Sequence, residues 1–402
     1  MVERRLAPTP FATLGLLLAL YLAQGLPYGL FSQALPVMMR QAGHSLESIS
    51  LSSLLALPWA LKFLWAPAID RVVGPRRRVI LPLNLVAAGM LAALSVVSPG
   101  AIIPLILTVF LCNLVAATQD IATDGLAVES LPLAHRGLGN GVQVAGYRLG
   151  MVIGGGVLVM LFDVWGWQKT FLTAAGVLLV ATLPVQFAAP VRRVAPAVVA
   201  AGNEALRWDR WFAGRDGLSW FGLLFLYKLG DSFGTSMVRP MFVDQGFSLG
   251  QIGAMVGVYG SAAGLAGAVA GGVIVSRWRS RAALLTFAVL QVLAMSLYAA
   301  VALAGPEYAV AAVVVEHLCS GMATVALFTA MMSACRPGHA GADYTVQASV
   351  VVIAQGLAGL LSGWSAHRLG YAPHMLVATG LCAGACGYLL TMRRGSGRFA
   401  LA

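Results

Sequence analysis

The sequence has few charged residues. Only 10% of its 402 residues are Asp, Glu, Lys or Arg, whereas 59% are hydrophobic. An ordinary soluble domain has about a quarter of its residues charged. A soluble fold could not bury this much apolar surface, so the composition excludes a water-soluble globular protein and predicts an integral membrane protein.

Lysine is nearly absent, since only three of the 26 basic residues are lysine and the formal net charge of +11 comes from arginine. Basic proteins often bind nucleic acid, but most of these arginines stand in short loops between apolar runs. Membrane topology explains that placement, because cytoplasmic loops are rich in positive charge. Nucleic acid is therefore not an expected partner.

Sequence motifs that are typical of enzymes and metal sites are absent as well. The five cysteines fall in or beside apolar segments without CxxC pairs, and the six histidines form no HExxH pattern. Neither a GxSxG motif nor a Walker phosphate loop occurs. The sequence therefore supports no enzymatic activity, no metal site and no cofactor.

Long apolar runs, in contrast, are abundant. Twelve of them are bounded by charged or turn-forming residues, and a helix of about 20 apolar residues crosses a bilayer. Helices are favoured because every backbone amide in lipid needs an internal hydrogen bond. We therefore predict an all-α membrane protein with twelve transmembrane helices, at 11–34, 46–69, 79–98, 101–127, 138–162, 168–189, 218–242, 248–275, 282–304, 307–334, 344–366 and 372–392.

The basic residues also predict the orientation of the chain. If the N-terminus is cytoplasmic, the loops on that side carry 19 Lys and Arg residues, while the opposite loops carry only Arg40, Lys169 and Arg368. The positive-inside rule then places both termini in the cytoplasm.

The apolar runs divide six and six around the longest polar stretch. On either side a short sequence recurs, QAGHSLESI at 41–49 and DQGFSLGQI at 244–252, with four identical positions at an offset of 203 residues. Such self-similarity indicates two parallel halves. The predicted domains are an N-terminal six-helix bundle at 1–189, a cytoplasmic linker at 190–217 and a C-terminal six-helix bundle at 218–402.

The loop after the second predicted helix reads APAIDRVVGPRRR at 66–78. It resembles the GxxxDRxGRRR signature of the major facilitator superfamily, with Ala66 in the glycine position and one extra residue before Gly74. This resemblance implies two pseudo-symmetric six-helix bundles that transport a solute by alternating access. Asp70 is expected near a helix N-terminus and the arginines beside carboxylates or lipid headgroups, unless the loop is merely basic. The predicted gating residues are Asp70, Arg71, Arg76 and Arg77.

Three further stretches are more specific: YLAQGLPYGLFSQALPV at 21–37, ALPWALKFLWAPAIDR at 56–71 and AATQDIATDGLAVE at 116–129. They resemble the muropeptide-permease (AmpG-type) and acetyl-CoA transporter branch of that superfamily. RGLGNGVQVAGYRLGMVIGGG at 136–156 is most similar to its RhtX/FptX siderophore uptake group.

The resemblance implies a secondary transporter of the bacterial inner membrane that imports a siderophore, free or iron-loaded, by proton-coupled alternating access. A muropeptide permease is the alternative, and a drug or metabolite exporter is a weaker one. The expected partners are this small molecule and the lipid bilayer, and we expect a monomer.

Ionisable residues inside a membrane cost several kcal/mol unless they are paired or line a watery cavity, so each is a functional candidate. Asp120 and Asp124 lie four residues apart on one helix face, and two close carboxylates suit the uptake and release of a proton. Alternatively, they form permanent ion pairs with Lys62 or Arg148.

Two other predicted helices carry buried charge. Lys228 and Asp231 are three residues apart and can pair with each other. Glu316 stands beside His317 in an otherwise apolar run. Together these residues complete the proton-coupling candidates: Asp120, Asp124, Asp231 and Glu316.

Polar and aromatic residues at similar depth are candidates for substrate binding. Tyr28, Trp59 and Tyr147 could stack on an aromatic substrate ring, although such aromatics also serve as packing anchors. The candidate substrate-binding residues are Gln24, Tyr28, Gln33, Trp59, Lys62, Gln143, Tyr147, Arg148, Lys228 and Glu316.

Glycines recur at helical spacing in two predicted helices. One set is Gly146, Gly150 and Gly154, and the other is Gly253, Gly257, Gly260, Gly264, Gly267 and Gly271. Small residues on one face let two helix backbones approach closely in lipid. Both sets therefore predict helix packing rather than substrate contact.

Overall fold

The computed structural model describes residues 10–31, 55, 57–72, 74–98, 101–187, 215–336 and 338–392. Throughout these ranges the regular structure is helical, with no β-strand. Nine helices within them are long and apolar enough to cross a bilayer. The predicted all-α membrane fold is therefore confirmed, while the full count of twelve spanning helices stays a prediction.

Three predicted segments are not among those nine. The described part of 46–69 contains only short helices, and 138–162 contains a helix of 17 residues followed by a π-helical turn. The segment 218–242 contains a helix of 21 residues whose apolar character is lowered by Lys228 and Asp231. These irregular or charged segments carry many of the candidate functional residues.

The described residues form two compact units. The first combines residues from Met1–Pro132, Ala145–Gly202 and Arg336–Thr345. Its apolar core includes Leu26 and Phe171. Its helices are α1 (Pro10–Gly29), α2 (Leu57–Leu61), α3 (Ala66–Asp70), α4 (Arg77–Leu94), α5 (Ile102–Ser130), α6 (Arg136–Val152, from Ala145 onward) and α7 (Leu158–Phe187), with a 3-10 turn at Lys62–Leu64.

The boundary between the fifth and sixth predicted helices is visible as a break in α7. Gly166 has a φ of 71°, in the left-handed region that glycine adopts without a steric penalty. The backbone is therefore non-helical at this point, within the predicted gap between 162 and 168. Upstream of α7, the π-helical turn Ile153–Val157 joins it to α6.

Close packing of α1 against α6 depends on glycine. A Cβ at Gly25 would overlap the carbonyl oxygen of Tyr147, and a Cβ at Gly150 or Gly154 would overlap carbonyl oxygens of α1. The two backbones are therefore in direct contact at these glycines. This contact confirms the packing predicted for Gly146, Gly150 and Gly154.

The second unit combines residues from Leu133–Val144, Asn203–Cys335 and Val346–Ala402. Its apolar core includes Met241, Tyr298, Val313 and Met375. Its helices are the start of α6, α8 (Arg215–Thr235), α9 (Val238–Asp244), α10 (Leu249–Ile252), α11 (Gly260–Val275), α12 (Ser280–Ala304), α13 (Ala309–Ser333), α14 (Ala340–Leu369, from Val346 onward) and α15 (Tyr371–Thr391), with a π-helical turn at Gly253–Tyr259.

The glycine set of this unit is only partly a packing face. Cβ atoms at Gly267 and Gly271 would collide with the backbone of α13, and Gly264 contacts Gly321 of that helix. Packing is confirmed for these positions. The prediction is wrong for Gly253 and Gly257, which have open space around them. Both lie in the π-helical turn, so the regular α-helical spacing that predicted their position on this face does not apply.

Two sequence predictions fall largely outside the described residues. Residues 190–214 of the predicted linker and the first copy of the repeat at 41–49 are not described. The division into halves at 1–189 and 218–402 therefore stays a prediction.

Candidate functional site

A cluster of ionisable side chains lies inside the first unit, and we call Tyr21, Lys62, Asp120 and Asp124 the first-unit cluster. The Lys62 ammonium forms an ion pair with Asp120, and its Nζ lies 3.8 Å from Asp124 Oδ2. The Tyr21 hydroxyl donates a hydrogen bond of 3.0 Å to Asp124 Oδ1. All four side chains are buried. One lysine therefore faces two carboxylates in the interior of the first unit.

Local structure sets this geometry. Asp120 and Asp124 are one turn apart on α5, so both carboxylates project from the same face. Lys62 stands in the 3-10 turn between α2 and α3, which brings its side chain to that face. The structure shows the predicted ion pair between Lys62 and Asp120, and Arg148 is half-buried on α6.

Side-chain amides extend the first-unit cluster along α1 and α5. Gln24 Nε2 donates to Gln119 Oε1 at 3.0 Å, and Gln119 Nε2 donates to Thr123 Oγ1 at 2.9 Å. Gln24 Oε1 is buried and accepts no hydrogen bond from any described residue. A buried acceptor without a donor is costly, so this oxygen can receive a donor from a ligand or from water.

Three predicted aromatic residues come together beside the first-unit cluster. The ring of Tyr28 lies 5.7 Å from that of Trp59 and 5.6 Å from that of Tyr147. Lys62 Nζ lies 5.7 Å from the Trp59 ring, within the range of a cation–π contact. The predicted residue Gln33 lies outside the described residues.

The second unit contains a cluster of its own, formed by Lys228, Asp231, Gln291, Glu316 and His317, which we call the second-unit cluster. Lys228 and Asp231 pair within α8, as their spacing predicted. Gln291 of α12 places its Nε2 2.9 Å from Asp231 Oδ1 and 3.5 Å from Glu316 Oε1. The amide therefore bridges the two carboxylates.

Hydroxyl groups of α13 complete the surroundings of the Lys228–Asp231 pair. Ser320 Oγ donates to Asp231 Oδ2 at 3.2 Å, and Lys228 Nζ lies 3.4 Å from the same hydroxyl. A cavity of about 10 Å³ borders Lys228, Asp231 and Gln291, which is room for about one water molecule.

The signature loop forms a third group, the latch triad of Asp70, Arg76 and Glu129. Arg76 lies 2.6 Å from Asp70 Oδ1 and 2.7 Å from Glu129 Oε1. Burial opposes the charge on Arg76, but the two carboxylates outweigh it and raise its pKa above the ordinary value. Asp70 Oδ2 also accepts a hydrogen bond of 2.7 Å from the backbone N–H of Ala342 in the first turn of α14.

This arrangement places Asp70 at a helix N-terminus and Arg76 between carboxylates, where their chemistry is favoured. Glycine makes room for it, since a Cβ at Gly341 would lie 2.7 Å from Asp70 Oδ1. Of the other predicted gating residues, Arg71 is exposed and Arg77 is half-buried. Their role in gating stays a prediction.

Sequence reasoning missed several contributors. Tyr21, Gln291 and Glu129 were not singled out, although each is a polar residue within or at the end of an apolar run. Tyr21 precedes Gln24 by three residues and so shares its helix face, which is a signal that could have found it. The predicted Gln143 is buried on the part of α6 that belongs to the second unit.

The chain as a whole matches one family of known proteins. The model of the Major Facilitator Superfamily matches residues 17–351, most of the sequence. The chain belongs to this superfamily. It is therefore a multi-pass membrane transporter with an all-helical fold.

Among curated proteins, the chain is 30% identical over 375 residues to the anhydromuropeptide permease of Escherichia coli K12, covering 90% of this chain and 76% of the permease. Among solved structures it is similar to human organic anion transporter MFSD10 (TETRAN), with a TM-score of 0.76, 17% identity and coverage of 95% and 100%. The Escherichia coli fucose:proton symporter FucP follows, with a TM-score of 0.71, 12% identity and coverage of 95% and 99%. The two structures are similar in fold.

Proposed function

We propose that this protein is a muropeptide permease, which imports a sugar-peptide into the cytoplasm together with protons. The observation that carries the proposal is the 30% identity to the anhydromuropeptide permease over 90% of the chain. Of the two substrates expected from the sequence, this relative favours the muropeptide over the siderophore. We place the protein in a bacterial inner membrane, with both termini in the cytoplasm as the arginine distribution predicts.

The first-unit cluster supports proton coupling through its charge balance. Lys62 lies beside both carboxylates, Asp120 and Asp124, and two close carboxylates that share one lysine favour the binding of a proton by one of them. A buried site that holds one lysine and two carboxylates therefore has one position for an exchangeable proton.

The same lysine supports a link between the proton and the substrate. The peptide part of a muropeptide carries carboxylates, and such a group can take the place of Asp120 beside Lys62. The displaced carboxylate would then be stabilised by a proton, so that substrate and proton bind with positive cooperativity. Symport follows if both are released together on the other side of the membrane.

The aromatic residues suit the sugar part of such a substrate. Tyr28, Trp59 and Tyr147 provide apolar ring faces with polar edges. The Trp59 indole N–H is buried and has no acceptor among the described residues, as Gln24 Oε1 has no donor. A sugar hydroxyl can accept a hydrogen bond from the Trp59 N–H and donate one to Gln24 Oε1.

Uptake of labelled anhydromuropeptide into spheroplasts, with and without this protein, tests the proposal. A labelled ferric siderophore is measured in parallel. We expect muropeptide uptake that a protonophore abolishes, and a large loss of uptake in Asp124→Asn. The matched control is Glu307→Gln, which neutralises an exposed carboxylate between α12 and α13. Siderophore uptake without muropeptide uptake would overturn the substrate assignment.

A further inference from the structure

The second-unit cluster also contains one lysine and two carboxylates. Its two carboxylates differ in the donors that contact them. Asp231 pairs with Lys228 and accepts hydrogen bonds from Gln291 and Ser320. Glu316 has a weak contact of 3.5 Å with Gln291, a contact with His317 and a hydrogen bond that it shares with Asp231. An ionised carboxylate is stabilised by each donor it accepts from, so Glu316 is the carboxylate that holds the proton when one is bound.

The imidazole of His317 has a defined orientation. Its Nδ1 lies 2.8 Å from Glu316 Oε2 and 3.0 Å from the carbonyl oxygen of Val313. Both neighbours of Nδ1 are acceptors when Glu316 is ionised, so Nδ1 carries the hydrogen in the neutral ring. Nε2 is then the basic nitrogen, free to accept a proton on the opposite edge of the ring.

His317 also lies at the edge of the second-unit cluster. Its side chain is 21% exposed, whereas that of Glu316 is 3% exposed. Gly260 of α11 faces the Nε2 edge, where a Cβ would lie 2.8 Å from both Cδ2 and Nε2. The missing side chain at Gly260 therefore lets the Nε2 edge of the ring lie against α11 without a clash.

We propose that His317 is the residue through which a second coupling proton, separate from that of the first-unit cluster, reaches and leaves Glu316. The ring accepts a proton at Nε2 and gives its Nδ1 proton to the Glu316 carboxylate. It then carries its hydrogen on Nε2, and Glu316 is a neutral acid. Release reverses both transfers, so protons and charge balance in each direction. This inference rests on the proposed function, because it assigns a path to one of the protons that drive uptake.

Several other groups face this pair and affect its titration. Lys228 and Asp231 approach from α8, Tyr298 from α12 and Cys382 from α15. Only Lys228 among them is a permanent cation, and it is already paired with Asp231. As charged or polar neighbours they alter how strongly Glu316 holds a proton.

Infrared spectroscopy of the purified full chain in nanodiscs separates how strongly Glu316 holds a proton from how fast that proton exchanges. The measurement needs no substrate. A rapid pH drop protonates Glu316, and its carboxyl band is identified by its loss in Glu316→Gln. In His317→Gln the glutamine can still donate to Glu316 but cannot carry a proton. We expect the band to reach the same amplitude about 100-fold more slowly, which is the lower end of what a positioned proton-transfer group contributes.

Two glycine variants provide a second test that leaves the histidine in place. Gly260→Ala places a methyl group against the Nε2 edge of the ring and should also slow the growth of the Glu316 carboxyl band. Gly257→Ala adds a methyl group in open space and should leave the rate of that growth unchanged. A wild-type rate in both His317→Gln and Gly260→Ala would overturn the inference. If the wild type transports no muropeptide, the proposed function fails while the infrared result still decides the proton path.

Discussion

Replacing Lys62 with methionine should destabilise the protein severely. Methionine keeps much of the length of the lysine chain but removes its charge, so two buried carboxylates lose the cation that lies beside both of them. The side chains of Lys62 and Asp120 are 5% and 9% exposed, so water cannot replace the lost partner. Breaking a buried ion pair on one side costs about 3–5 kcal/mol, compared with about 1 kcal/mol or less for a surface pair.

Thermal unfolding of the detergent-solubilised protein measures this effect. At about 2–4 °C per kcal/mol for units of this size, the midpoint should fall by about 6–20 °C. Acidification should narrow the deficit, because a protonated carboxyl group no longer needs a cation. The double variant Lys62→Met/Asp120→Leu should recover most of the stability, since replacing both partners with apolar groups is often neutral or stabilising.

A midpoint within about 3 °C of the wild type for Lys62→Met at neutral pH would refute this reasoning, because such a shift corresponds to a water-exposed pair. Failure of the double variant to recover would show that Lys62 stabilises the fold mainly through Asp124 or Trp59. The first result would remove the charge balance from the argument for proton coupling.

Two other predictions use the same unfolding assay. Gly25→Ala should destabilise the protein by about 1–3 kcal/mol, because the new methyl group overlaps the Tyr147 carbonyl oxygen. The control Gly15→Ala, which has open space around it, should be neutral or slightly stabilising. Equal effects of the two variants would contradict the close packing of α1. Arg76→Gln should lower the midpoint by removing the cation of the latch triad, and Arg71→Gln, an exposed neighbour, should not; no difference between them would show that the triad is not buried.

The fold was predictable because lipid leaves few choices to an apolar chain. Long uncharged runs predict helices directly, and Gly166 breaks α7 within the predicted gap. Spacing along one helix was equally informative, since the Lys228–Asp231 pair needs only two residues of α8. These features are local in sequence and therefore visible without a structure.

Contacts between distant residues were not predictable in the same way. Lys62 and Asp120 are 58 residues apart, and only helix packing brings the Lys62 ammonium to this carboxylate. The π-helical turn at Gly253–Tyr259 shifts the helical register, which a regular glycine spacing cannot reveal. Gln291 gains its role only because α12 places it between carboxylates of two other helices.

The most direct test of proton-coupled muropeptide transport uses the purified protein in liposomes. An inward proton gradient is imposed, and the internal concentration of labelled anhydromuropeptide is followed over time. We expect accumulation above the external concentration that collapses with a protonophore and is lost in Asp124→Asn, while exchange of labelled for unlabelled substrate without a gradient persists. Accumulation that is independent of the proton gradient, or that Asp124→Asn leaves unchanged, would contradict the assignment of the coupling proton to the first-unit cluster.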